Sequence, residues 1–144
     1  MEGTETGASI LAETRVEQVM GTLIVTCAPD TPLREAAEMM ARHRIHSVVV
    51  FHGPRAEAEP GRPWGIVSDL DVVAAGLAGS EERPAGKAAA SPVVTIRSDD
   101  TLERAAQLMV EYASPHLIAV DPVHGRPAGI LSSLDIARVV ARRS

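Results

Sequence analysis

Apolar positions along the chain fall into short β-branched runs that alternate with stretches of helical spacing. Leu23 to Cys27 is such a run, stopped by Pro29 and Asp30, and predicts a buried strand. Leu33, Ala36, Ala37 and Met40 follow at i, i+3, i+4 and i+7, one face of a helix. Thr31 is its expected cap, with Pro32 at its first position. Ser47 to Phe51 and Trp64 to Val67 read as two further strands, separated by a loop rich in Pro, Gly and charge over His52 to Pro63. A helix from about Leu70 to Leu77 closes this unit. Ahead of it, Thr14 and Glu17 have capping-box spacing before Val16 and Val19, which predicts a helix over Thr14 to Met20.

The same order then returns. Val93 to Ile96 predicts a strand, Asp100 with Glu103 a capping box, and Leu102, Ala105, Ala106 and Met109 the same helix face. His116 to Val120 and Ala128 to Leu131 read as strands, and Leu134 to Arg143 as the last helix. Thr26 and Thr95, Leu33 and Leu102, Ala36 and Ala105, and Met40 and Met109 are each 69 apart, whereas Gly65 and Gly129, Ser68 and Ser132, and Asp71 and Asp135 are each 64 apart. A constant register across each element is the mark of an internal duplication. The change of offset falls in the first copy's loop, where extra residues cost little closure entropy. The expected organisation is a disordered leader over 1–13, one repeat over 14–77, a linker over 78–86 and a second repeat over 87–144, in an α+β chain.

Two stretches carry the candidate chemistry. Gly65-Ile66-Val67-Ser68-Asp69-Leu70-Asp71 and Gly129-Ile130-Leu131-Ser132-Ser133-Leu134-Asp135 each run from a strand into a helix start. A hydroxyl and a carboxylate three residues apart then share one helix N-terminus, where free N–H groups and the helix dipole favour an anion and a carboxylate can accept from sugar hydroxyls. Ordinary capping is the simpler reading of either copy alone; recurrence in register favours function.

Composition narrows the classes. The 144 residues are 45% apolar, enough for one core or two small ones. A net charge of -5 gives no footprint for nucleic acid, no apolar run approaches the roughly 20 residues of a membrane span, and the acidic start is unlike a signal peptide; a cytoplasmic protein is expected. Cys27 is the only cysteine and reads as a small core residue. Ser68, Ser132 and Cys27 have no base and orienter at recognisable spacing, so catalysis is not expected. The histidines lack a metal-ligand pattern, and no metal or cofactor is expected.

In the ordered set of these motifs the chain resembles a tandem pair of cystathionine-β-synthase (CBS) domains, a Bateman module. The resemblance rests on Ile24-Val25-Thr26 before Pro29-Asp30-Thr31-Pro32-Leu33, the Ala36-Ala37 helix, His43-Arg44-Ile45 and the two Gly…Ser…Asp stretches. It implies two β-α-β-β-α repeats packed about a pseudo-twofold, commonly a homodimer. It also implies a regulatory role in which AMP, ATP, S-adenosylmethionine or another adenosine compound is bound and its occupancy is passed to a protein partner in trans. The alternative is a ligand-free dimerisation or scaffold module. By the resemblance one cleft combines Val25, Ile45 and His46 with Ser132 and Asp135, and the other Val94, Ser114 and Pro115 with Ser68 and Asp71. Apolar side chains and strand backbone enclose adenine, the aspartates accept from ribose, and the serines face phosphate. Position by position the chain departs from that pattern where Leu70 and Leu134 replace a basic residue before each Asp, which leaves either Arg44, Arg97 or a partner chain to meet phosphate, or a ligand that carries little charge. Pro115 removes a backbone donor, and His46 stands where it would stack on a base and make binding respond to pH.

Overall fold

The computed structural model describes residues 7–52, 62–89 and 93–142. The elements run in the expected order, twice. In the first repeat β1 (Thr26–Cys27) leads to α2 (Leu33–His43), β2 (Ser47–His52), β3 (Arg62–Ser68) and α3 (Asp69–Ala78). In the second, β4 (Thr95–Arg97) leads to α5 (Leu102–Tyr112), β5 (His116–Val120), β6 (Pro127–Ser132) and α6 (Ser133–Arg142). Each repeat forms a three-stranded sheet, β1-β2-β3 or β4-β5-β6, with the first pair parallel and the second antiparallel. The parallel pair needs a crossover, which the helix provides. Most of the loop expected over His52 to Pro63 lies outside the described residues.

The register offsets read from the sequence recur in the hydrogen bonds. Val49 N–H donates to the Val25 carbonyl at 2.9 Å, and Ile118 N–H to the Val94 carbonyl at 3.0 Å. Arg44 and Ala113 both end their helices in the left-handed conformation, at φ 55° and 51°. The amides that follow, of Ile45 and Ser114, donate back to the Met40 and Met109 carbonyls. This reversal aims each chain from helix into central strand, although neither residue is the glycine usual at such a cap.

Core positions match as well. Leu33, Ala36, Met40, Val48, Val50 and Val67 bury against Ala75 in one cluster. Leu102, Ala105, Met109, Leu117, Ala119 and Leu131 do so with Ile136 and Val139 in the other. Val49, Ile66 and Ile118 alternate onto the opposite sheet face and are fully buried too, so the strands read as continuous apolar runs. Cys27 lies in the first core, and burial raises its thiol pKa even though Thr31 hydrogen-bonds it.

Four local expectations need correction. Residues 7–13 are not disordered: Gly7–Glu13 forms α1, whose Ile10 and Leu11 pack on the second repeat's core. Over Thr14 to Met20 only a 3-10 turn forms at Val16–Gln18; Thr14 donates its hydroxyl to the Ile10 carbonyl, and Gln18 rather than Glu17 accepts from Arg15 N–H. The start of α5 is capped one residue later than expected, by Thr101 accepting from Arg104 N–H.

The start of α2 is also not capped by Thr31, whose hydroxyl accepts from Ala28 N–H. Its first amides, of Leu33 and Arg34, donate instead to the carbonyls of Arg83 and Glu81 in the linker. Leu102 N–H donates in the corresponding way to the Thr14 carbonyl. Within the linker, Ala85–Ala88 forms the short helix α4, and Ala85 fills the first core as Val16 fills the second. Each leader thus packs on the repeat it does not precede. The two compact units are accordingly 24–93 and the discontinuous pair 1–23 with 94–144, whereas the division expected from sequence follows the repeats.

Candidate ligand-binding site

Antiparallel pairing sets Ser47 opposite Ser68 and His116 opposite Ser132, at the ends where β3 and β6 turn into α3 and α6. Both turns are closed by reciprocal capping boxes. Ser68 Oγ accepts from Asp71 N–H at 3.2 Å, while Asp71 Oδ2 accepts from Ser68 N–H at 2.9 Å. Ser132 and Asp135 repeat this at 3.2 and 2.8 Å. The capping reading of these residues therefore holds in both copies.

One further bond tightens each turn: Asp69 N–H donates to the His46 carbonyl at 2.9 Å, and Ser133 N–H to the Pro115 carbonyl at 2.8 Å. The free N–H groups expected to face phosphate are thereby largely consumed. In each first turn, among the described residues, only Leu70 or Leu134 keeps an uncommitted amide. The half-buried carboxylates retain acceptor capacity. Asp71 Oδ1 has no partner among the described residues, and Asp135 Oδ1 has only the Arg138 guanidinium at 3.8 Å.

Within its own unit, the chain brings Val25, Ile45 and His46 to the same sheet end as Ser68 and Asp71, through the Val25–Val49 and His46–Asp69 backbone bonds. It likewise groups Val94, Ser114 and Pro115 with Ser132 and Asp135. The combinations expected by resemblance draw members from both units. Ser114 has a structural duty: it is buried, and its hydroxyl donates to the His116 carbonyl at 2.9 Å. Pro115 is exposed, and its missing donor is immaterial to the sheet because its carbonyl makes the contact.

The expected phosphate partners differ in availability. Arg97 is held in a fork by Asp99 at 2.9 and 3.0 Å, which keeps the Asp99 carboxyl below its ordinary pKa. Arg44 is exposed and forms no ion pair among the described residues. His46 Nδ1 lies 3.0 Å from Asp69 Oδ2 at an exposed position, where such pairs contribute little to stability. Asp69 and Ser47 were not expected at the site; the signal for Ser47 was its place at the start of a strand whose opposite number is Ser68. Among the described residues no group of three or more His, Cys, Asp or Glu is arranged to hold a metal ion, and no helix is long and apolar enough to cross a membrane.

The model of the CBS domain family matches residues 16–78 and 85–142. Among solved structures, the CBS-domain-containing protein ATU1752 of Agrobacterium tumefaciens is 25% identical, with a TM-score of 0.71 over 96% of this chain and 98% of its own. The CBS domain protein PAE2072 of Pyrobaculum aerophilum, solved with AMP, is 24% identical, with a TM-score of 0.71 over 88% of this chain and 98% of its own. The CBS domain pair of protein MJ0100, solved with 5′-methylthioadenosine and S-adenosyl-L-methionine, is 22% identical, with a TM-score of 0.73 over 91% and 98%.

Proposed function

Because the chain belongs to the CBS domain family, we infer that it is a regulatory module that binds an adenosine-containing small molecule and reports its presence to a protein partner. The observation that carries this is the duplicated Ser–Asp turn. Asp71 and Asp135 each use one oxygen to close a capping box and leave the other at a half-buried position beside a strand end. That oxygen suits a ribose diol, and Val25, Ile45 and Val94 suit a purine face. Proteins of this fold have been solved with AMP and with 5′-methylthioadenosine and S-adenosylmethionine, which brackets the ligand class with and without phosphate. We place the protein in the cytoplasm, acting in trans as a homodimer, with occupancy altering the surface its partner meets.

Thermal unfolding with adenosine, AMP, ADP, ATP, NAD and S-adenosylmethionine tests the reading. A ligand that binds only the folded chain stabilises it by about 2.7 kcal/mol at a hundredfold excess over its Kd. No shift with any compound would sink it.

One observation favours a second reading, a ligand-free dimerisation module. Leu70, Val73 and Leu77 line one side of α3 and are 71%, 62% and 90% exposed. Sedimentation that stays dimeric in a Leu77→Glu variant would count against that use of the face.

A further inference from the structure

Ser47 opens β2 directly opposite Ser68 and is 7% exposed, yet its hydroxyl has no hydrogen-bond partner among the described residues. Opposed residues of an antiparallel pair project from the same sheet face, so the Ser47 hydroxyl shares a face with Ser68 at the start of α3. Buried polar groups are almost always paired, and an unpaired one is destabilising. No described residue meets this hydroxyl, and a bound ligand at the strand end would supply the bond that its burial calls for.

The groups around it define what that is. Ser68 Oγ accepts from Asp71 N–H and still has its own proton to donate, while Asp71 Oδ1 has no partner among the described residues and can accept. These are complements for hydroxyls and ring nitrogens. Phosphate fits poorly: Asp69 and Asp71 put two carboxylates in the first turn, and α3 carries no basic residue. The amides of Ser68, Asp69 and Asp71 are also already bonded. The second repeat differs, with His116 opposite Ser132, a single first-turn carboxylate in Asp135, and Arg138 3.8 Å from it.

Resting on the adenosine-binding reading above, we propose that the Ser47, Ser68 and Asp71 end of the first repeat selects adenosine compounds that carry no phosphate, neutral or cationic, with Ser47 Oγ hydrogen-bonding the ligand. The competing feature is Arg44, the exposed cap of α2 three residues before Ser47, which a phosphate would have to reach.

Calorimetric titration of the full chain carrying Asp135→Asn, which silences the second repeat's site, with adenosine, 5′-methylthioadenosine and AMP separates these. A phosphate-free compound should bind about tenfold or more tightly than AMP, and Ser47→Ala should weaken it about tenfold. The free Ser47→Ala protein should melt no lower than the parent, since an unpartnered hydroxyl has been removed. Arg44→Ala should leave the preference unchanged. AMP binding as tightly as adenosine, an AMP preference that disappears in Arg44→Ala, or unaltered affinities in Ser47→Ala would each overturn the proposal while adenosine binding stands. Binding of none of the three would instead overturn the reading beneath it. Should Ser47→Ala fold poorly, the surface variant Asp69→Asn carries the test. Raised AMP affinity with unchanged adenosine affinity is expected, and unchanged AMP affinity would falsify the charge argument.

Discussion

A Cβ on Gly129 would lie 2.6 Å from the carbonyl oxygen of Gly21 and 2.7 Å from Met20 Sδ. The glycine that opens the second Gly…Ser…Asp stretch is there because the leader crosses it. Gly21 and Ile130 exchange both backbone hydrogen bonds at 2.9 Å, covering the outer edge of β6. Gly129→Ala should destabilise by roughly 1–3 kcal/mol, because the nearest obstacle is backbone. Gly76→Ala within α3, where nothing lies within 4 Å, should stabilise by about 0.5–1 kcal/mol. Urea denaturation of the two variants measures this, and equal effects would mean the leader is not seated on β6.

The capping boxes separate stability from binding at the two aspartates. Asp71→Ala and Asp135→Ala should each cost about 1 kcal/mol, since each frees a serine N–H. Asp71→Asn and Asp135→Asn keep an accepting oxygen and should melt close to the parent. All four should lose the ligand-induced rise in Tm at their own site. A full rise retained in the Asp71→Asn, Asp135→Asn double variant would remove the carboxylates from the site.

Val16 shows how far the leader contributes. It is fully buried in the core built around Leu102 and Leu117, although it lies more than seventy residues before that repeat's first strand. Val16→Ala removes two buried methyl groups and should destabilise by about 2 kcal/mol. Val110→Ala, at an 83% exposed position on α5, should change stability by less than about 0.5 kcal/mol. A neutral Val16→Ala would contradict the placement of the leader.

Acid sensitivity should trace in part to Asp121. Its carboxylate accepts N–H bonds from His124, Arg126 and Val123, and these hold its pKa below the ordinary 3.8, His124 most strongly. A carboxyl lowered in the folded state contributes stability that is present above pH 3.8 and is lost as pH falls through the lower native value. Asp121→Asn should therefore flatten stability against pH below about 4. The profile from chemical denaturation across that range checks it; a profile as steep as the parent's would assign the loss to other carboxylates.

Much of the fold was legible because its signals are local. The spacing of Leu33, Ala36 and Met40 and its recurrence at Leu102, Ala105 and Met109 named the helix faces that do pack. Ser68 with Asp71 and Ser132 with Asp135 were recognisable as helix-start pairs because a cap reaches only three residues. The same locality explains the misreadings. Thr31 precedes α2 as a cap should, yet Arg83 and Glu81 supply the carbonyls, and no pattern near Thr31 announces a partner some fifty residues away. The small, polar start of the chain reads as a disordered leader, whereas Gly7–Glu13 forms a helix whose Ile10 and Leu11 pack on the second repeat's core.

By itself the sequence determined the duplication, the order of strands and helices, and the two Ser–Asp turns, since all of these rest on spacing within a few residues or on a register repeated down the chain. Tertiary structure alone decided that each leader packs on the other repeat, that Ser114 serves the backbone, and that Ser47 is buried opposite Ser68 with no partner among the described residues. An amphipathic pattern states which side of an element avoids water. Which surface comes to cover that side, and which polar groups are left unpaired, depends on contacts between distant parts of the chain that local patterns do not encode.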